Sequence, residues 1–137
     1  MQQPITVTRN FHVSRRQYGA RQLRAGRKPE APTGRVPRVA RVMALAIHCD
    51  QLIRDGHIAD QSELARVGQI TTARTTQIMM LLSLAPDIQE EILFLPRVTS
   101  GRAPIREMDV RPIAATLDWR KQRRMWKTLS HAVNPKG

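Results

Sequence analysis

The sequence predicts an all-α chain, a bundle of five or six helices that carries a basic, partly extended N-terminal arm. Three observations predict it. Apolar residues recur at helical spacing from Val39 to Ile53, and helix-start signals stand at Pro37, Asp60, Thr71, Pro86 and Asp118. Charge falls in blocks: net +9 over residues 1–41, −4 over 42–96 and +7 over 97–137. A chain of 137 residues holds one core domain of roughly 100 residues and an arm. The expected division is a basic arm at 1–36, a helical domain at 37–133 and a tail at 134–137.

The elements follow in order. Ile5, Val7, Phe11 and Val13 alternate as in a half-buried strand, broken at Arg9. No partner strand is evident, so a lone strand over 5–13 is either chance alternation or an edge that pairs with another chain. Residues 14–38 mix Arg with Gly and Pro and read as a flexible basic arm. Pro37 suits a helix first turn, and Val39, Val42, Met43, Ala46, Ile47 and Ile53 trace an apolar, central helix that Gly56 stops. Asp60-Gln-Ser-Glu63 has the form of a capping box, which starts a short helix at Gln61. Further helices are expected from Pro86 to Leu93, from Ile105 to about Ala115 with a kink or split at Pro112, and from Asp118 to about Ala132.

Composition narrows the function. A formal charge of +12 and a pI near 11.6 fit a polyanionic partner, nucleic acid first and an anionic membrane surface second. The longest apolar run, Val42–Ile47, is far shorter than the roughly 20 residues that span a bilayer. No secretory signal core is present, so the cytoplasm or nucleoid is expected. Cys49 is the single cysteine, which excludes an intrachain disulfide and a cysteine zinc cage and suggests a buried thiol. His12, His48, His57 and His131 fall in four segments, and no phosphate-binding glycine loop follows a strand. Neither enzyme, metal nor cofactor is expected.

Residues 61–82 divide as a helix-turn-helix. Leu64 and Ala65 face inward, Gly68-Gln69 makes the turn, Ile70 plugs the core and Thr71 caps the second helix, read as 72–82. Thr75, Ile78, Leu81 and Leu82 share its inward face. The outward face is Thr72, Ala73, Thr76, Gln77 and Met80. Gln pairs with an adenine edge, Thr offers a methyl to thymine and Ala permits close approach, so this face suits base edges. Arg74 lies at its flank, suited to a phosphate or a guanine. The alternative is an ordinary amphipathic hairpin.

Leu64-Ala65, Gly68, the Thr-rich second helix, Leu81-Leu-Ser-Leu-Ala-Pro86 and Asp87-Ile-Gln-Glu-Glu-Ile92 together resemble the helix-turn-helix region of ParB/KorB-type partition proteins over about residues 61–95, extending toward 115. The resemblance implies sequence-specific binding of duplex DNA, usually as a dimer. Three departures stand out: the family's turn glycine falls one place later than Gly68, Thr75 replaces a valine, and Ala85 is an extra residue before Pro86. No nucleotide-binding domain precedes the motif, so only the DNA-reading module is expected to carry over, without CTP hydrolysis. Gly34-Arg-Val-Pro-Arg38, leading into the first helix, is more faintly similar to the arm of resolvase and invertase DNA-binding ends.

The arms supply cations. Gly-Arg-x-Pro occurs at 26–29, 34–37 and 101–104. The first two copies, with Arg27, Lys28, Arg35 and Arg38, are read equally as minor-groove inserts or solvated linkers, and the third as a loop between helices. Arg120, Lys121, Arg123, Arg124 and Lys127 of the last helix form a candidate phosphate clamp, with Trp119 and Trp126 anchoring the helix. The expected function is sequence-specific duplex-DNA binding, as a transcriptional regulator or an accessory factor in recombination or plasmid maintenance. The alternative is an adaptor that engages a protein, or a second copy as a homodimer, through residues 5–13 and binds DNA or RNA without sequence preference.

Overall fold

The computed structural model describes residues 4–5, 7–15, 21–26 and 33–133. The chain divides into two compact units, residues 1–32 and 33–137.

In the first unit β1 (Phe11–Arg15) pairs antiparallel with β2 (Arg21–Ala25), with Phe11 opposite Ala25 and Val13 opposite Leu23. Gly26 N–H extends the ladder to Asn10 O. The expected lone strand over 5–13 is corrected twice: residues 5 and 7–10 are not strand, and the strand has a partner within the chain. Ile5 and Val7 are both exposed, so their alternation carried no information. The partner lies in the stretch expected to be flexible. Leu23 is its one large apolar residue, among Arg21, Gln22 and Arg24, so backbone pairing defines β2 and no apolar alternation advertises it.

The second unit is helical, as the sequence predicts. It comprises α1 (Arg38–Arg54), α2 (Gln61–Gly68), α3 (Thr72–Met80), a 3-10 turn (Leu81–Ser83), α4 (Pro86–Leu93), α5 (Glu107–Ala114) and α6 (Trp119–Val133). Helix α1 is central and packs against α3, α4, α5 and the 3-10 turn. Val39, Met43 and Ala46 on it meet Leu84, Ile88, Ile92 and Val110, all essentially without solvent contact. Burial of each of these larger side chains contributes about 1.5–3 kcal/mol before chain entropy is offset. A smaller cluster of Cys49, Leu64 and Met79, backed by Ile53, Ile58 and Leu82, fixes α2 against α1 and α3. Cys49 is buried as expected, and burial pushes its thiol pKa up.

The ends of the helices obey the sequence signals with local adjustments. Gly56, at φ 78°, turns the chain after α1. Asp60 accepts the Glu63 N–H at 2.9 Å, but Glu63 reaches one residue beyond the expected box and accepts from Ala59 N–H at 2.6 Å. Pro112 neither splits nor ends α5, which begins at Glu107 and runs through it. Asp118 accepts Arg120 N–H at 2.9 Å and opens α6.

Residues 33–36 belong to the helical unit, which moves the arm boundary back from 36 to 32. Arg35 and Val98 exchange both backbone hydrogen bonds, at 3.0 and 2.8 Å, and Arg35 Nη2 donates to Gly101 O at 2.6 Å. Gly34 makes this possible: at φ 91°, a Cβ there would lie 2.8 Å from Val98 O. The second Gly-Arg-x-Pro copy is therefore docked against the loop that leads to the third and is not a free linker.

Candidate nucleic-acid interface

The turn before α3 differs from its expected form. Gly68 is the last residue of α2, and Gln69 adopts the left-handed conformation, φ 54° and ψ 41°. Gln69 N–H bonds Arg66 O at 3.3 Å and Ile70 N–H bonds Ala65 O at 3.1 Å, the paired bonds of a Schellman end. The residue that needs φ > 0 is thus one place after Gly68. Ile70 does not plug the core; it is 40% exposed, because the left-handed residue before it directs the chain outward. Thr71 then caps α3 as expected, its Oγ1 accepting Arg74 N–H at 3.0 Å.

Helix α3 ends at Met80, and the remainder of the expected 72–82 helix tightens into the 3-10 turn. The inward face of α3 holds Thr75 and Ile78 with Met79 buried beside them, and the 3-10 turn continues it with Leu81 buried and Leu82 half-buried. Thr75, where the resembled family has valine, is 1% exposed and donates its hydroxyl to Thr71 O at 3.1 Å, so its buried hydroxyl is paired. Ala85, the extra residue, is likewise accommodated. It caps α4, and its N–H donates to Gln122 Oε1 of α6 at 2.8 Å. Gln122 is fully buried and donates in turn to Ser83 O and Thr116 O, at 3.1 and 2.7 Å, which locks α6 over the 3-10 turn that follows α3.

Thr72, Ala73, Thr76, Gln77 and Met80 are all exposed, so the outward face is open along its length. Thr76 Oγ1 donates back to Thr72 O at 3.0 Å, which leaves its lone pairs and methyl outward. Met80 borders an apolar depression of about 360 Å³ with Met108, Pro112 and Ala115.

Arg74 is not a free flank cation. It forms a two-pronged bridge to Glu107 of α5, at 2.7 and 2.8 Å, and Glu107 also accepts from Arg111 one turn on. Gln77 Oε1 accepts from both Arg74 and Arg111 at 3.3 Å. The Arg74 hydrogen bond, against the opposing effect of burial and aided by Arg111, holds the Glu107 carboxyl below the usual carboxylate range. Glu107 and Arg111 were not singled out by sequence reasoning. Their i, i+4 spacing was visible, but nothing in the sequence joins them to Arg74. Arg38, at the start of α1, and Arg106 line the same basic crevice beside this network.

The other expected cations separate into groups. Arg27 and Lys28 lie outside the described residues. Arg35 donates from Nη2 to Gly101 O, as above. Arg123 bridges Asp87 at 3.0 and 3.1 Å, stacks 6.0 Å from the Trp119 ring centre, and keeps the Asp87 carboxyl pKa low. Arg120, Lys121, Arg124 and Lys127 are exposed and form no ion pair among the described residues. Arg120, Arg124 and Lys127 recur at i, i+4 and i+7, opposite the buried Gln122 and Trp126, and so make a bare basic stripe. Trp126 is buried, with Nε1 donating to Glu91, and Trp119 is half-exposed, donating to Ser83 O. The anchoring role expected of the tryptophans holds most fully for Trp126.

No family model, curated protein or solved structure matches this chain. Among the described residues no helix is long and apolar enough to cross a membrane, and no cluster of His, Cys, Asp and Glu could hold a metal ion.

Proposed function

We propose that the chain is a sequence-specific duplex-DNA-binding protein, acting as a transcriptional regulator or as an accessory factor in recombination or plasmid maintenance. The observation that carries the reading is α3: it follows a tight Schellman turn, buries Thr75, Ile78 and Met79, and leaves Thr72, Ala73, Thr76 and Gln77 exposed. A helix so held can enter a major groove with its bare face on base edges. The α6 stripe supplies cations for backbone phosphates, which contribute affinity without sequence information. A dimer, as the ParB-type resemblance implies, would read two half-sites.

Selection from random duplexes followed by sequencing tests this. The parent should enrich one consensus, palindromic if two copies bind, and Thr76→Ala should broaden it with the salt dependence unchanged. If Thr76→Ala and Gln77→Ala both select the parent's sites with undiminished stringency, α3 does not read the DNA.

A second reading has the first unit dock a protein. Ile5, Val7 and Leu23 stand exposed on it, and each strand of a two-stranded hairpin has an outer edge. Deleting residues 1–32 should then abolish complex formation with the partner while DNA selection persists.

A further inference from the structure

The network at the edge of α3 constrains what Gln77 can recognise. A glutamine reads adenine by donating from Nε2 to N7 while Oε1 accepts from the N6 amino group. An amide oxygen has two lone pairs. Here Oε1 of Gln77 already accepts from Arg74 Nη1 and from Arg111 Nη2, each at 3.3 Å. Both guanidiniums are held in place by Glu107, whose side chain is only 11% exposed. Nε2 of Gln77 has no hydrogen-bond partner among the described residues, and the residue faces solvent. The side chain therefore presents donors alone.

From this geometry we infer that Glu107 and Arg111 of α5 are specificity determinants, which convert Gln77 from an adenine reader into a donor-only group that selects guanine. Guanine is the base whose major-groove edge offers two adjacent acceptors, N7 and O6, for the two amide hydrogens. Adenine would present its N6 donor to an oxygen with no lone pair to spare, leaving that amino group unpaired. Neither Glu107 nor Arg111 needs to touch the DNA; each acts by positioning. The inference rests on α3 being the reading helix.

Selection from random duplexes with four proteins decides it. Gln77→Ala locates the base position, as the one whose preference disappears. At that position the parent should enrich guanine over adenine about tenfold, the size of one good base-edge contact. Arg111→Met frees one lone pair of Oε1, and Glu107→Gln loosens both guanidiniums, so each should raise adenine to parity with guanine or above it while leaving other positions unchanged. Circular dichroism confirms that each variant is folded, and the two variants perturb the network independently. Adenine enriched by the parent, or a guanine preference retained in both variants, would overturn the inference while α3 remains the reader. A parent that selects no sequence at all would remove the reading of α3 and this inference with it.

Discussion

Moving the glycine of the turn by one place tests how α3 is set. Gln69 sits at φ 54° and ψ 41°, a conformation that costs a residue with a Cβ about 1–2 kcal/mol. Gln69→Gly removes that strain but adds freedom to the unfolded chain worth about 0.4–1 kcal/mol. The net is a stabilisation of about 0.5–1 kcal/mol, or a Tm rise of about 3–6 °C for a domain of this size. Gly68 is helical, and a Cβ there would meet only Ile70, its Cγ1 at 3.8 Å and Cδ1 at 4.0 Å, both ordinary contacts. Gly68→Ala should therefore also stabilise, by up to about 1 kcal/mol from helix propensity. Thermal unfolding followed by circular dichroism reads both variants and the double exchange. If Gly68 were instead the residue that turns the chain, both signs would reverse, and a fall in Tm for either variant refutes the reasoning.

Other outcomes follow from the same structure. Gln122→Ala should cost about 3 kcal/mol in urea unfolding, since it strips Ala85 N–H and Thr116 O of their side-chain partner and leaves Ser83 O with Trp119 alone. Glu107 has its folded pKa depressed, chiefly by Arg74, so its contribution is fully present above the ordinary Glu value of 4.5 and is lost as pH falls through the lower folded value. Glu107→Gln should accordingly flatten the acid limb of stability against pH, with a loss at neutral pH of about 1–3 kcal/mol. Replacing Arg120, Arg124 and Lys127 together by alanine should reduce the slope of log affinity against log salt by about 2–3, with the consensus unchanged, as measured by fluorescence anisotropy across a salt series.

Much of the helical unit was legible because its punctuation is local. Pro37, Gly56, Asp60, Thr71, Pro86 and Asp118 each act within a few residues of where they stand, and each marks an observed helix boundary. The inward face of α3 was legible for a similar reason, because 3.6-residue periodicity is a property of one segment. What escaped was non-local. Strand β2 offers no apolar alternation and exists through its ladder with β1; Arg35 pairs with Val98 through backbone groups that every sequence has, and its side chain reaches Gly101 O across 66 residues of sequence. Gln69 gives no sign that it must turn left-handed, though a glycine expected one place later was a clue. At the candidate site, the outward residues of α3 were identified from spacing, whereas the Arg74–Glu107–Arg111 bridge that restrains Gln77 joins residues 33 apart in sequence and could not be read from either segment.

The central claim, that α3 lies in a major groove and reads bases there, is tested most directly by methylation interference on the duplex the protein selects. Methylation of guanine N7 projects into the major groove, and that of adenine N3 into the minor. Binding should be blocked by N7 methylation within the consensus and relieved of that block in Gln77→Ala. Interference confined to adenine N3, or none at any base, would place the contacts on the minor groove or the backbone and contradict the account.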